Sequence, residues 1–283
     1  MIDDMVEGPR RAMIAARLAA IEQAHGVEVL FAAESGSRAW GFASADSDFD
    51  VRFVYRHPAA WYVGLSEPRD VIEYPLDDQL LDVAGWDLRK ALRLLLRSNP
   101  PLHEWLVSPI VYREQEGFGA AMRDLFERFA DPRRLLHHYV AMARGQRDLL
   151  GPKATVRRKR YLYIARPLLA VRLLAGGHWP PPMAIGALMQ KASPEPPVAA
   201  ALARLIAEKQ AGGELGEGPR DAVLDGWIAA ELAAATPDRI AQGAPAADGT
   251  AAVTRFFHDV IGFAARAPVN PGAEGSRPDA RGA

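Results

Sequence analysis

Apolar residues recur along this chain with two different periods, and the change of period divides it. Arg11 to Ala24 (RAMIAARLAAIEQA) has helical spacing, and Gly26 stands where a helix C-terminus favours glycine. Val27 to Ala33 (VEVLFAA) is β-leaning and predicts a strand. A Ser35-Gly36-Ser37 turn follows, then a short helix over Arg38–Phe42 and a loop over Ala43–Ser47. Phe49 to Tyr55 (FDVRFVY) alternates with period two. Phe49, Val51 and Phe53 share one face, while Asp48, Asp50 and Arg52 share the other. Asp70–Tyr74 and Gln79–Ala84 predict two more short strands, with a turn at Pro75–Asp78. Asp87 is placed to cap a helix over Leu88–Arg97, which the Asn99-Pro100-Pro101 run ends. Leu102–Val107 reads as a helical turn and Pro109–Tyr112 as a last strand.

From Phe118 the period becomes helical almost throughout. The expected helices are Gly119–Ala130, Pro132–Leu149, Arg157–Ala175, Met183–Gln190, Pro197–Ala211 and Asp221–Ala235. Loops over Gly212–Pro219 and Gln242–Gly249 separate the later ones. The expected organisation is therefore α+β, with a mixed-sheet domain over residues 1–115 and an all-helical domain over 116–265. A Pro-, Gly-, Ala- and Arg-rich tail over 266–283 is expected to be disordered.

Composition narrows the classes of function. With 34 basic and 35 acidic residues the net charge is −1, which argues against bulk electrostatic binding of nucleic acid. The charge is unevenly spread, however. Between Leu149 and Pro194 no acidic residue occurs, yet Lys153, Arg157, Arg158, Lys159, Arg160, Arg166, Arg172 and Lys191 do. That segment reads either as a phosphate-contacting surface or as a solvated helix face. The chain has no cysteine, so disulfide and thiolate chemistry are excluded, in keeping with a cytoplasmic protein. No apolar run is long enough to predict a membrane span, and the acidic N-terminus shows no signal-peptide pattern. The seven histidines show no metal-ligand spacing.

The chemistry concentrates in ESGSRAWGFASADSDFDVRFVY, Glu34 to Tyr55. Three aspartates within five positions repel one another and need solvation or a cation. Asp48 and Asp50 offer hard oxygen ligands of the kind Mg²⁺ accepts while keeping water and phosphate in its shell. Backbone N–H groups of the Gly36-Ser37 turn, the Ser37 hydroxyl and the Arg38 guanidinium suit phosphate oxygens. Two-metal chemistry calls for a third carboxylate from a neighbouring strand. Asp82, flanked by Leu81 and Val83, is the candidate, and Glu73 competes with it. Arg52 is on the acidic face, placed either to neutralise phosphate or to pair with the carboxylates. Arg89, Arg93 and Arg97 form a stripe at helical spacing that reads by default as a solvated face, with an RNA-contacting ridge as the alternative. A lone Asp-x-Asp also occurs in glycosyltransferases that bind nucleotide sugars.

A Gly-Ser pair, ten intervening residues and then Asp-Phe-Asp-Val resembles the signature of the DNA polymerase β-like nucleotidyltransferase superfamily. The longer runs GSRAWGFASADSDFDVRFVY and DVAGWDLRKALRLLLRSNPPLHEWLVSPIVY are similar to its RlaP/YcgL-type branch, associated with RNA repair. The likeness spans about residues 30–112 and extends more weakly to RRKRYLYIARPLLAVRLL, Arg157–Leu174. The resemblance implies a polymerase β-like core followed by a helical domain, and metal-dependent transfer of a nucleoside monophosphate from an NTP to a hydroxyl. It implies Gly36, Ser37 and Arg38 on the triphosphate, and Asp48, Asp50 and Asp82 on two Mg²⁺ ions, with Mn²⁺ as an alternative. By the same analogy Lys159 and Tyr163, four residues apart on one helix face, approach the nucleotide. The implied acceptor is an RNA 3′ end, with protein and small-molecule hydroxyls as alternatives. A non-catalytic nucleotide- or RNA-binding, antitoxin-like module is the rival use of the same fold.

Overall fold

The structure, a computed structural model, describes residues 8–65, 68–212, 215–235 and 248–263. Helix α1 (Gly8–His25) leads into β1 (Glu28–Ser35), a short helix α2 (Gly36–Trp40) and β2 (Phe49–Arg56). A further short helix α3 (Ala59–Tyr62) precedes β3 (Val71–Tyr74) and β4 (Leu81–Asp87). Helices α4 (Leu88–Leu96) and α5 (Pro100–Leu106) then lead to β5 (Val111–Glu114). The five strands form one sheet in the order β3-β4-β2-β1-β5, in which β2 and β4 are parallel and the other neighbours antiparallel. The expected mixed sheet is thus present. Two strands differ clearly from the expectation: β5 is Val111–Glu114 rather than Pro109–Tyr112, and β4 runs on to Asp87, which ends the strand and caps α4 by accepting the Arg89 N–H at 2.8 Å. Asp87 also takes the Tyr62 hydroxyl at 2.7 Å, which fixes α3 against the start of α4.

Alternation assigns the two faces. Phe49, Val51, Phe53 and Tyr55 pack with Ile14, Leu18 and Ile21 of α1 in one buried cluster. The opposite face belongs to a larger cluster that starts at Leu30 and Phe31 and takes in Leu88, Leu92 and Leu95 of α4. The same cluster continues through the helices that follow: α6 (Phe118–Phe129), α7 (Pro132–Leu150), α8 (Lys159–Ala175), α9 (Ile185–Ala192), α10 (Pro196–Gly212) and α11 (Ala222–Ala234). Helix α8 is its centre, with Leu162, Leu168, Leu169 and Leu173 all buried. Prolines and polar caps set the breaks between helices. Asn99 accepts the Leu102 N–H to start α5 after α4 ends, and Asp131 does the same for α7 through Arg133.

Some structure lies beyond what periodicity signals. A two-stranded ribbon joins β6 (Thr155–Arg157) to β7 (Glu217–Pro219), strands too short to show a period. Helix α12 (Thr250–Ile261) returns to the first part of the chain, where Phe257 meets Tyr62 with ring centroids 5.0 Å apart and the Val260 carbonyl accepts from Arg56. The expected tail over 266–283 lies outside the described residues. No described helix is long and apolar enough to cross a membrane.

A buried polar knot ties the sheet-side helices to the helical layer. Glu104 of α5, 4 % exposed, accepts from Arg166 of α8 at 2.8 Å, Tyr139 of α7 at 3.2 Å and Trp40 of α2 at 3.4 Å. The Arg166 guanidinium also lies 4.1 Å above the Trp40 ring. Removing one partner from such a pair strands a buried charge. We therefore expect Glu104→Ala to cost about 3 kcal/mol in urea unfolding. The double substitution Glu104→Leu/Arg166→Met, which leaves no stranded charge, should cost less than Glu104→Ala alone.

Candidate active site

The site is built by strand register. Ser35, the last residue of β1, pairs with Asp50 of β2, and Asp50 in turn pairs with Asp82 of β4. The Gly-Ser turn, the second aspartate of the Asp-Phe-Asp motif and the third acid therefore stand side by side across three adjacent strands. Gly36 opens α2 with φ +60°, a conformation that disfavours any side chain. A Cβ there would fall 1.9 Å from Asp50 Oδ2, so the Asp50 carboxylate lies directly against the turn. Ser37 is buried just behind it, and Asp48 is exposed immediately before β2. Glu73, the competing third acid, is exposed and ion-paired with Arg69 on the edge strand. Asp82 is the one beside Asp50.

Cations organise this acidic surface. Arg52 Nη2 lies 3.1 Å from Asp50 Oδ1 and 2.8 Å from Asp82 Oδ2, bridging the two carboxylates. Its Nη1 donates to the carbonyls of Asp82 at 2.9 Å and Val51 at 3.1 Å. Burial raises the Asp50 pKa; Arg52 pulls it down, Asp82 and Asp48 push it up, and Arg38 lowers it. Arg38 works through the loop: its Nε and Nη2 donate to the carbonyls of Asp48 at 3.1 Å and Ser47 at 2.6 Å, and its guanidinium lies 3.9 Å over the Phe49 ring. That clamp shapes the turn that presents Asp48.

Sequence reading passed over Glu34, which ends the apolar run of β1. It is fully buried, accepts the Asp50 N–H at 2.7 Å and receives the Tyr112 hydroxyl of β5. Burial pushes its carboxyl up to about 7, against opposing hydrogen bonds from Tyr112 and Asp50. A glutamate at the end of the apolar run Val29–Ala33, just before the Ser35-Gly36-Ser37 turn, is the signal that marks it.

The helical layer meets the site through α2. Tyr163 of α8 packs edge-on against Trp40 at 5.4 Å and against Phe42 at 6.1 Å. Its flank of α8 thus faces the first half of the chain, and Lys159 stands one turn earlier at the helix start. A cavity of about 440 Å³ at this junction is lined by Trp40, Gln146, Tyr163 and Arg166 among others. Much of the basic segment is spent internally: Arg158 pairs with Glu208, Arg166 with Glu104, and Arg172 with Glu195 and Glu231. Arg157 remains exposed on the ribbon and Lys153 on the loop before it.

A match to the family described as RNA repair pathway DNA polymerase beta family covers residues 11–259. The chain belongs to that family. It is 43% identical over 213 residues to the uncharacterized protein YcgL of Bacillus subtilis (strain 168), covering 75% of this chain and 81% of YcgL. A crystal structure of a nucleotidyltransferase-like protein from Exiguobacterium sibiricum 255-15 aligns over 87% of this chain and 78% of its own, at 12% identity and a TM-score of 0.30, too distant to bear on the argument. The chain thus carries the family and fold of polymerase β-like nucleotidyltransferases.

Members of such families typically use divalent metals. The donor set fits one ion: Asp48 and Asp50 supply hard oxygens beside the Gly36-Ser37 turn. It does not fit a second ion between Asp50 and Asp82, because the Arg52 guanidinium already bridges them. Among the described residues, no three His, Asp or Glu side chains converge as one ligand set.

Two outcomes follow from this geometry. Gly36→Ala forces an unfavourable φ and a collision with Asp50, so unfolding stability should fall by about 2 kcal/mol or more. The Glu34 effect is pH-dependent. Below its ordinary value of 4.5 both folded and unfolded chains hold the proton, and between 4.5 and about 7 the folded chain alone holds it. Stability should therefore decline as pH rises across that window, by on the order of 3 kcal/mol in total. Glu34→Gln removes this contribution, so its urea midpoint should change less than wild type between about pH 5 and about pH 8.

Proposed function

We propose that the protein transfers a nucleoside monophosphate from an NTP to a hydroxyl acceptor and releases pyrophosphate. The observation that carries this reading is the Ser35–Asp50–Asp82 register, which lines up the glycine-serine turn with paired acids. In the proposed reaction the Gly36-Ser37 turn holds the β- and γ-phosphates. Asp48 and Asp50 would hold a divalent cation, Mg²⁺ or Mn²⁺, which would neutralise phosphate charge and polarise the α-phosphorus. Asp82 takes the proton of the attacking hydroxyl through the oxygen not turned to Arg52 as the new O–Pα bond forms. The bond from Pα to the bridging oxygen breaks, and the electron pair leaves with pyrophosphate. Arg38 positions the Asp48 loop, while Lys159 and Tyr163 close the nucleotide side from α8.

For the acceptor we favour an RNA 3′ end. The family description names an RNA repair pathway, and Lys153 and Arg157 carry exposed positive charge on and beside the ribbon. Incubation with each α-labelled NTP and separate cellular pools of RNA, protein and small molecules tests this. Label should appear in RNA, and Asp50→Asn should reduce its transfer by about 10²-fold or more. Label in the protein or metabolite pool would redirect the acceptor. Metal-dependent NTP binding with no transfer to any pool would instead identify a non-catalytic binding module, and preference for a UDP-sugar would identify a glycosyltransferase.

A further inference from the structure

We infer that Arg52 is a built-in cation standing where a second metal ion would otherwise bind, so that this protein operates with one divalent ion per site. The inference rests on the nucleotidyltransferase reading and concerns how the acidic cluster is neutralised. Two carboxylates touching one nitrogen repel each other unless a cation stands between them. Arg52 supplies that cation from the strand itself.

Its placement is specified by its neighbours. In the sheet register Arg52 stands opposite Ala33 on β1 and opposite Ala84 on β4. Both flanking positions on this face are alanines, the smallest side chains that keep a Cβ. The long guanidinium stem can therefore lie flat along the sheet and reach across to β4. Its two terminal nitrogens are committed to four oxygens, those of the Asp50 and Asp82 carboxylates and the Val51 and Asp82 carbonyls. Backbone carbonyls cannot move aside without breaking the strand, so this seat is fixed rather than incidental.

The charge of the site agrees. One divalent ion and one guanidinium balance the three carboxylates of Asp48, Asp50 and Asp82 before the triphosphate is counted. With Oδ2 of Asp82 turned to Arg52, that residue acts on the acceptor as an oriented carboxylate rather than as a metal ligand. Arg52 is thus a positioning residue.

Counting bound Mn²⁺ by electron paramagnetic resonance, with a non-hydrolysable α,β-methylene NTP, tests the inference without reference to turnover. Wild type should bind one Mn²⁺ per chain, and Asp82→Asn should keep that ion with affinity within about threefold. Asp50→Asn should lose it. Arg52→Gln should open a second site and bind two, while Arg52→Lys, which keeps the charge, should stay nearer one. Two Mn²⁺ ions in wild type overturn the inference, a result that does not depend on any variant folding. A single ion in folded Arg52→Gln overturns it as well. No Mn²⁺ in wild type, with or without nucleotide, sinks the nucleotidyltransferase reading itself and takes this inference with it.

Discussion

Negative charge crowded onto neighbouring strands is the constraint around which this protein is arranged. Parallel pairing of β2 with β4 puts Asp50 beside Asp82, and antiparallel pairing of β1 with β2 puts Glu34 and the Gly-Ser turn next to them. Each acid is handled differently. Arg52 bridges Asp50 and Asp82, solvent surrounds Asp48, and the sheet interior pushes Glu34 towards its neutral form. The glycine at position 36 answers the same pressure, since any Cβ there would occupy the space that the Asp50 carboxylate uses. The acids stay together because their compensations are local and built from the same three strands.

Much of this was legible in the sequence. The alternation in FDVRFVY sorts Phe49, Val51 and Phe53 from Asp50 and Arg52, and the sheet follows that sorting because a strand can bury only alternate residues on one face. Asp87 announces its helix, since a carboxylate ahead of an apolar helical run has the unpaired N–H of Arg89 to accept. Asp82, a single acid in an apolar run, is found beside Asp50. Of the two readings open for Arg52, phosphate neutraliser or partner of the carboxylates, the second describes the side chain as it stands.

What escaped sequence reading depends on contacts between distant segments. The Arg52 bridge needs the register of β4, a strand separated from β2 by a helix and an edge strand. The buried Glu104–Arg166 pair joins residues from α5 and α8, and nothing local to either marks it. Helix α12 is absent from the expected helices, and its docking against Tyr62 and Arg56 is set by surfaces at the other end of the chain. Strands β6 and β7 are three residues each, shorter than any period can reveal.

The helical layer acts on the acidic site by way of the five residues of α2. One end of that helix is Gly36, pressed against Asp50; the other is Trp40, held by Glu104, Arg166 and Tyr163. Beyond it, Gln210 of α10 donates to the Gly41 carbonyl at 3.2 Å and Lys209 Nζ lies 5.6 Å from the Phe42 ring centroid. A helix this short cannot hold its own position, because its few backbone hydrogen bonds barely offset the cost of nucleating it. Its orientation is therefore imposed from both ends, by the sheet through Asp50 and by the helices through Trp40 and Phe42. Any change in how α8 and α10 pack must reach the Gly36-Ser37 turn through this element, which gives the helical layer a mechanical connection to the acidic cluster without contributing a carboxylate to it.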